Sequence, residues 1–277
     1  MKNIFCFLLS CFFSQVIFSQ NCNAYLYYGD TLQYEACVIA EKRAGNYQFS
    51  RAYQEALDEA LEKCDYFSHA YRHKSVAYLK SGDFLTWKRL MDKAVELDPA
   101  EFLQYRGWCR YQFFRDYQGA IDDIERLDSL VNYDIGFSQN GDYHLHIARG
   151  LWYKALGQKD KAIEIIETQL AAENHSPGLY DYLHLGVLYL EINEIDEAIH
   201  AFNKQTENYP YAENQFYLGL AQKAKGNFDA YLNHLQNAKA MYLKRERMFD
   251  VYSIPLDKIY LQEIEAELEE ARSMTEH

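Results

Sequence analysis

The strongest constraint on this chain is a spacing. A tyrosine, or a residue in its place, stands nine positions before a second residue, and the pair recurs: Tyr78 and Trp87, Tyr111 and Ala120, Tyr153 and Ala162, Tyr189 and Ala198, Gln222 and Tyr231. A turn lies inside each pair: Gly82-Asp83-Phe84, Arg115-Asp116-Tyr117, Gly157-Gln158-Lys159, Asn193-Glu194-Ile195 and Gly226-Asn227-Phe228. In most, the third turn residue is apolar and would tuck under a helical hairpin. One such hairpin cannot bury its apolar face alone, whereas a stack of them buries a continuous core. With only 4 Pro in 277 residues, and blocks rich in Ala, Leu, Glu and Lys, the chain is predicted to be all-helical. A hydrophobic share of 49% gives ample core material.

The clearest unit reads Tyr182-x-x-Leu185-Gly186-x-x-Tyr189, then Ala198-x-x-x-Phe202, then Pro210. Gly186 and Ala198 leave room for close helices, Tyr189 and Phe202 fill the space between them, and Pro210 ends the second helix. This resembles the tetratricopeptide repeat, with Tyr where Trp is usual. The resemblance runs over about residues 31 to 242. It implies a right-handed α-solenoid of about five to six antiparallel helix hairpins with a C-terminal capping helix. Three features depart from the pattern. Trp87 and Tyr231 put bulk where Ala is expected, so those hairpins must pack differently or splay. Lys74-Ser75 replaces Leu-Gly. Gly107 sits one residue off register.

The organisation follows. Residues 1–19 read as a signal peptide: Lys2, then an apolar run from Ile4 to Phe18, then Ser19 before a cut that leaves Gln20 first. The run is too short and interrupted for a good membrane span, and no later segment is apolar enough for one. Asn21 before Cys22 argues against lipidation. Residues 20–67 form a degenerate hairpin, with a helix from Asp30-Thr31 to about Ala44, a turn at Gly45-Asn46-Tyr47, and a second helix to about Cys64. Two repeats fill 68–127, an inserted loop takes 128–142, three repeats fill 143–242, and 243–277 is a linker and cap. The insertion shows as a 42-residue interval from Tyr111 to Tyr153, against 33 to 36 elsewhere. Its Asn140-Gly141 is a turn signal and Asp142 is a candidate helix cap. The final helix is expected from about Leu256 to Arg272. Its stripe is Leu256, Ile259, Tyr260, Ile264, Leu268 and Ala271, with Glu263, Glu265, Glu267, Glu269 and Glu270 on a solvated face. After export, Cys22, Cys37, Cys64 and Cys109 remain. Four cysteines allow three pairings, and nothing in the sequence chooses among them or against free thiols.

Catalytic chemistry finds little support. His69 and His73 share a helix face as zinc ligands can, but no third ligand accompanies them. No Walker-type loop, GxSxG or GxGxxG occurs, so no catalytic residue, metal or cofactor is assigned. The formal charge of -13 disfavours nucleic acid. A binding surface is more legible. The resemblance implies that first helices line a concave groove, which would present Arg72, His73 and Val76, Tyr105 or Arg106, Leu151 and Lys154. Later units would present Tyr180, Leu183, His184 and Val187, then Phe216, Tyr217, Leu220 and Lys223. Aromatics with a few cations suit a protein or peptide ligand, although the same aromatics suit a core. The reading is a non-catalytic binding scaffold, exported to the periplasm or extracellular space, without membrane insertion after signal cleavage. The alternatives are an accessory or structural subunit of an envelope enzyme complex, or a metal-dependent hydrolase.

Overall fold

The computed structural model describes residues 21–251 and 254–275. The expected signal peptide and its cut before Gln20 lie outside the described residues. Among the described residues the structure is helical, with one isolated bridge between Phe137 and His144 and no strand. The helices fall into two compact units, Met1–Leu97 and Asp98–His277, a division inside the stretch 68–127.

The first unit holds α1 (Asn23–Tyr27), α2 (Thr31–Ala40), α3 (Arg51–Lys63), α4 (Ser68–Ser81) and α5 (Phe84–Leu97). Asp30 accepts the amide of Gln33 at 2.9 Å and Ser50 that of Tyr53 at 3.2 Å. Each cap satisfies a donor that the first helical turn leaves without a partner. Helix α2 ends at Ala40 and continues as a short 3-10 turn over Glu41–Arg43, close to the expected boundary. Cys37, Leu57, Ala60, Cys64 and Phe67 form the core of this hairpin. Cys22 is disulfide-bonded to Cys37, while Cys64 and Cys109 are free and buried. The single bond ties α1 to α2.

The second unit contains four hairpins and a cap. The hairpins are α6 (Pro99–Cys109) with α7 (Tyr117–Leu130), α8 (Leu145–Ala155) with α9 (Lys159–Leu170), α10 (Asp181–Glu191) with α11 (Ile195–Asn208), and α12 (Ala212–Ala224) with α13 (Phe228–Leu243). Helix α14 (Leu261–Thr275) packs on α13. Each hairpin closes on a glycine of its first helix. A Cβ on Gly150 would meet Ile166 at 2.6 Å, on Gly186 Phe202 at 2.4 Å, and on Gly107 Asp123 at 3.2 Å. Each partner lies sixteen residues on. At Gly219 the same atom would meet Leu235 at only 3.4 Å. The α12–α13 hairpin is therefore looser at this level, as expected opposite Tyr231. That tyrosine is fully buried among residues of α14, and its hydroxyl donates to the carbonyl of Glu267 at 3.2 Å.

The off-register Gly107 has a local cause. Its hairpin carries one residue more than the others, and a π-helical turn over Arg110–Phe114 absorbs it at the end of α6. The turn that follows starts at Arg115 with φ 53, where the other turns place Gly82, Gly157, Asn193 and Gly226 in the same left-handed region. Arginine pays a steric penalty there that glycine does not.

Two boundaries differ from expectation. Helix α8 starts at Leu145 and is capped by His144, whose ring accepts the amide of His146 at 3.2 Å; Asp142 does not cap it. The bridge between Phe137 and His144 holds the chain in a tight turn through Asp142, so regular helix begins later. The final helix starts at Leu261 and not near Leu256, because Asp257 takes a left-handed φ of 61. Ile259, Ile264, Leu268 and Ala271 are buried as the stripe requires, whereas Tyr260 is exposed.

Candidate binding groove

Helix α10 packs against α8 and α12, the first helices of the neighbouring hairpins, and the chain after α13 returns to these helices. After α13, Arg245 takes a left-handed φ of 68 and turns the chain back. An outgoing limb, residues 246–251, crosses the starts of α12 and α10. Ala212 donates its amide to the carbonyl of Glu246 at 2.8 Å. The amide of Met248 donates to Glu213 Oε2 at 2.9 Å, and that of Phe249 to the Tyr180 hydroxyl at 3.4 Å. A returning limb, residues 254–260, begins where Arg115 Nη2 donates to the carbonyl of Ile254 at 2.7 Å. It comes back over α8 and α10, where Asp257 meets Lys154 Nζ at 2.6 Å and His184 Nδ1 at 2.6 Å.

Asp257 is the pivotal contact. Burial alone would raise its carboxyl, but the hydrogen bond from His184 and the charge of Lys154 hold it below the ordinary carboxylate range. Ionised Asp257 can only accept, so His184 donates from Nδ1, and its Nε2 lies 3.1 Å from the Tyr143 hydroxyl. Tyr143 arrives at the end of the 128–142 insertion and packs against Trp108 and Tyr180. The order hydroxyl, imidazole, carboxylate is that of an activated nucleophile. Its environment is not: Tyr143 is 4% exposed and His184 0%, and burial pushes the tyrosine hydroxyl well above its ordinary range. The triad holds the fold together. At the outgoing limb, burial raises the Glu213 carboxyl, and the amide of Met248 offsets this in part.

The sequence candidates divide between the two units. In the first, Arg72 and His73 lie on α4. Arg43 approaches His73 Nε2 at 3.2 Å and Arg72 approaches its Nδ1 at 3.3 Å. Burial, followed by the two guanidinium charges, pushes His73 down to about 2, so the ring stays neutral. In the second unit Tyr105 is half-buried on α6. Tyr180 and His184 are buried and hold the chain's own limbs. Phe216 belongs to the core that α14 completes, and Tyr217 stacks on Phe202 with centroids 6.2 Å apart. Lys223 pairs with Glu267 at 3.2 Å and Glu270 at 2.7 Å, and Lys239 with Glu265 at 2.6 Å. The acidic face of α14 is therefore partly engaged, contrary to its reading as a purely solvated face. Among the described residues, no group of three His, Cys, Asp or Glu is placed to hold a metal, and no helix is long and apolar enough to cross a membrane.

Sequence reading missed Asp257, Arg115, Glu213 and Tyr143. Only Arg115 carried a signal, as the one turn residue that was neither Gly nor Asn.

The sequence matches the tetratricopeptide repeat family over residues 68–101 and 182–211. It is 22% identical over 138 residues to a TPR repeat-containing protein of Methanocaldococcus jannaschii. That match takes in 50% of this chain and 22% of the relative, so the chain spans about a fifth of that protein's length. The fold is similar to that of PilW, a type IV pilus biogenesis factor, with a TM-score of 0.55 and 14% identity over 88% of this chain and 94% of PilW. It is also similar to YrrB, a TPR protein with an unusual peptide-binding site, with a TM-score of 0.54 and 20% identity over 68% of this chain and 93% of YrrB.

Proposed function

Since the chain is a tetratricopeptide-repeat protein, we propose that it is a non-catalytic scaffold that holds a protein or peptide, acting in the periplasm or cell envelope. One observation carries the reading: residues beside α6 and on α8, α10 and α12 hold a stretch of irregular polypeptide, chiefly through polar groups aimed at its backbone and one buried carboxylate contact. Binding extended chain by its backbone is how grooves accept peptides without catalysis. The location rests on the expected signal peptide of residues 1–19, and the Cys22–Cys37 bond is consistent with it, since disulfides persist in oxidising compartments.

Affinity capture tests it. Purified mature protein, used as bait against solubilised envelope proteins, should retain a defined partner stoichiometrically, and the partner should protect amides of α8, α10 or α12 from exchange. Turnover of a small substrate without any stable partner would defeat the scaffold reading.

A further inference from the structure

Most capped helices of this chain follow one rule, and α8 breaks it. Among the described helices, the side chains that cap a start are otherwise aspartate, serine or asparagine: Asp30 for α2, Ser50 for α3, Asp83 for α5, Asp98 for α6, Asp116 for α7 and Asn227 for α13. Such oxygens remain acceptors throughout the neutral range. Helix α8 is capped by a ring, in which His144 Nδ1 accepts the amide of His146 at 3.2 Å. An amide can only donate, so Nδ1 carries no proton. The other nitrogen, Nε2, stands 2.8 Å from Asp134 Oδ1. The amide of Gly136 holds the Asp134 carboxyl below its ordinary range, so the carboxylate is ionised and Nε2 donates to it. The geometry fixes His144 in one neutral tautomer. A proton added to Nδ1 turns the acceptor of the cap into a donor that faces a donor.

This ring sits at a join. The insertion returns to α8 through two backbone bonds, from the amide of Ser138 to the carbonyl of Tyr143 at 2.7 Å and from the amide of Leu145 to the carbonyl of Gly136 at 2.9 Å. Phe137 meets the His144 ring edge-on at 5.3 Å. The His144 side chain is 1% exposed and that of Asp134 68%, so the carboxylate reaches the ring from the solvent side. The remaining charged and titratable neighbours come from α7, α8, α10 and the connection before α10. His146 on α8 has its ring 5.3 Å from that of His144, and its Nε2 is 3.7 Å from Asp128 of α7, which Arg149 approaches at 3.4 Å. His175, between α9 and α10, meets His144 edge-on at 5.5 Å and lies 3.3 Å from Asp181, both side chains being buried. Burial pushes His144 below its ordinary range against the pull of Asp134, and burial followed by the Arg149 charge lowers His146. The closed join therefore takes a proton less readily than an open one.

We propose that His144 makes the join between the insertion and α8 a proton-operated latch: a proton on its Nδ1 removes the α8 cap and opens the pairing of Gly136 and Ser138 with Leu145 and Tyr143. In the open join the ring is solvated and titrates near its ordinary value of 6.5, whereas in the closed join it titrates lower. Opening therefore takes up a proton as the pH falls below 6.5, and the open fraction rises up to about tenfold per pH unit until the lowered value is reached. Two imidazolium rings 5.5 Å apart repel, so a charged His175 opposes a proton on closed His144 and widens the difference. Tyr143 lies inside the pairing that opens, and its hydroxyl stands 3.1 Å from His184 Nε2. The latch thus governs the contact by which the insertion reaches α10. It goes beyond the scaffold reading and does not depend on it.

Hydrogen exchange on the full chain tests the latch, read as protection factors so that the pH dependence of intrinsic exchange is divided out. The amides of Ser138, Leu145 and His146 should be less protected than those of Leu185 to Leu188 in α10 at every pH, as local opening requires. Their protection should fall by up to about tenfold per pH unit between pH 6.5 and 5. Equal protection at the join and in α10 would mean that the join opens only by global unfolding, and overturns the proposal. His144→Asn supplies a capping oxygen that does not titrate in this range, so protection at the same three amides should become flat while the melt at pH 7.5 stays close to the parent's. A dependence that survives in His144→Asn overturns the proposal, whichever neighbouring ring carries it. Nitrogen NMR of the imidazoles gives a reading that needs no variant and stands even if His144→Asn folds poorly. At pH 7.5 His144 should be the tautomer protonated on Nε2, and a proton found on Nδ1 overturns the latch.

Discussion

Asp257 and His184 are 73 residues apart in sequence and 2.6 Å apart in space, and their hydrogen bond ties the C-terminal limb to the middle of a repeat helix. A carboxyl held below its ordinary value of 3.8 stabilises the folded state above that pH. Its contribution is lost as the pH falls below 3.8 towards the lowered folded value. Histidines also weaken the fold in acid, among them buried His144 and half-buried His234, both depressed by desolvation. The comparison that isolates Asp257 is therefore between parent and Asp257→Asn. In urea melts the parent should be the more stable at neutral pH, and the gap should shrink as the pH falls below 3.8. A gap independent of pH would show that the carboxylate is not the source.

The glycine ladder makes opposite predictions for two positions that look alike in sequence. At Gly186 an added methyl would stand 2.4 Å from the Phe202 ring, deep in the core, so something must move. Overpacking of this kind costs about 1–3 kcal/mol. At Gly219 the nearest atoms are 3.4 Å away, an ordinary contact. There alanine should gain the helix preference over glycine, up to about 1 kcal/mol. Thermal melts of Gly186→Ala and Gly219→Ala should move in opposite directions. Equal shifts would mean that the α12–α13 hairpin is not looser than its neighbours.

This pair also shows how far the sequence could be read. Period, turn positions and the small residues at Gly150, Gly186 and Gly219 follow from local rules, so hairpins and their order were legible. The looser packing opposite Tyr231 followed from side-chain volume alone. The filled groove did not, because nothing local marks Asp257 as a partner for a helix 73 residues upstream. Its neighbours Pro255 and Leu256 read as a helix start, and only the left-handed turn at Asp257 prevents it. The candidate aromatics were ambiguous for a related reason. Spacing places Tyr180 and Phe216 on a face, but whether that face meets solvent or chain depends on residues 246–260.

Asp123 supports the hairpin with the displaced glycine. It is 3% exposed and accepts two hydrogen bonds from Arg106, at 2.9 Å and 2.6 Å, with Arg110 at 3.3 Å. Removing one partner of a buried pair strands the other, at about 3–5 kcal/mol. Asp123→Ala should lose that much in chemical denaturation. Asp123→Asn keeps the shape and should lose less. A loss under about 1 kcal/mol in the alanine variant, the range of exposed pairs, would show that water reaches the guanidinium.

The cysteines give the last prediction. The Cys22–Cys37 bond closes a loop of 15 residues, a size for which chain entropy gives about 3 kcal/mol. Cys64 is buried beside this hairpin, and burial raises its thiol above the ordinary range, which slows reaction in the native state. A chain beginning at Gln20 should therefore show slow labelling when folded. When unfolded without reductant it should show two thiols, Cys64 and Cys109. Reduction should expose four and lower the melting of the first unit, and Cys37→Ala should reproduce that loss. Four thiols before reduction would remove the bond. An unchanged melt after reduction would mean that packing of Tyr25 and Tyr34 on the same core already holds α1 in place.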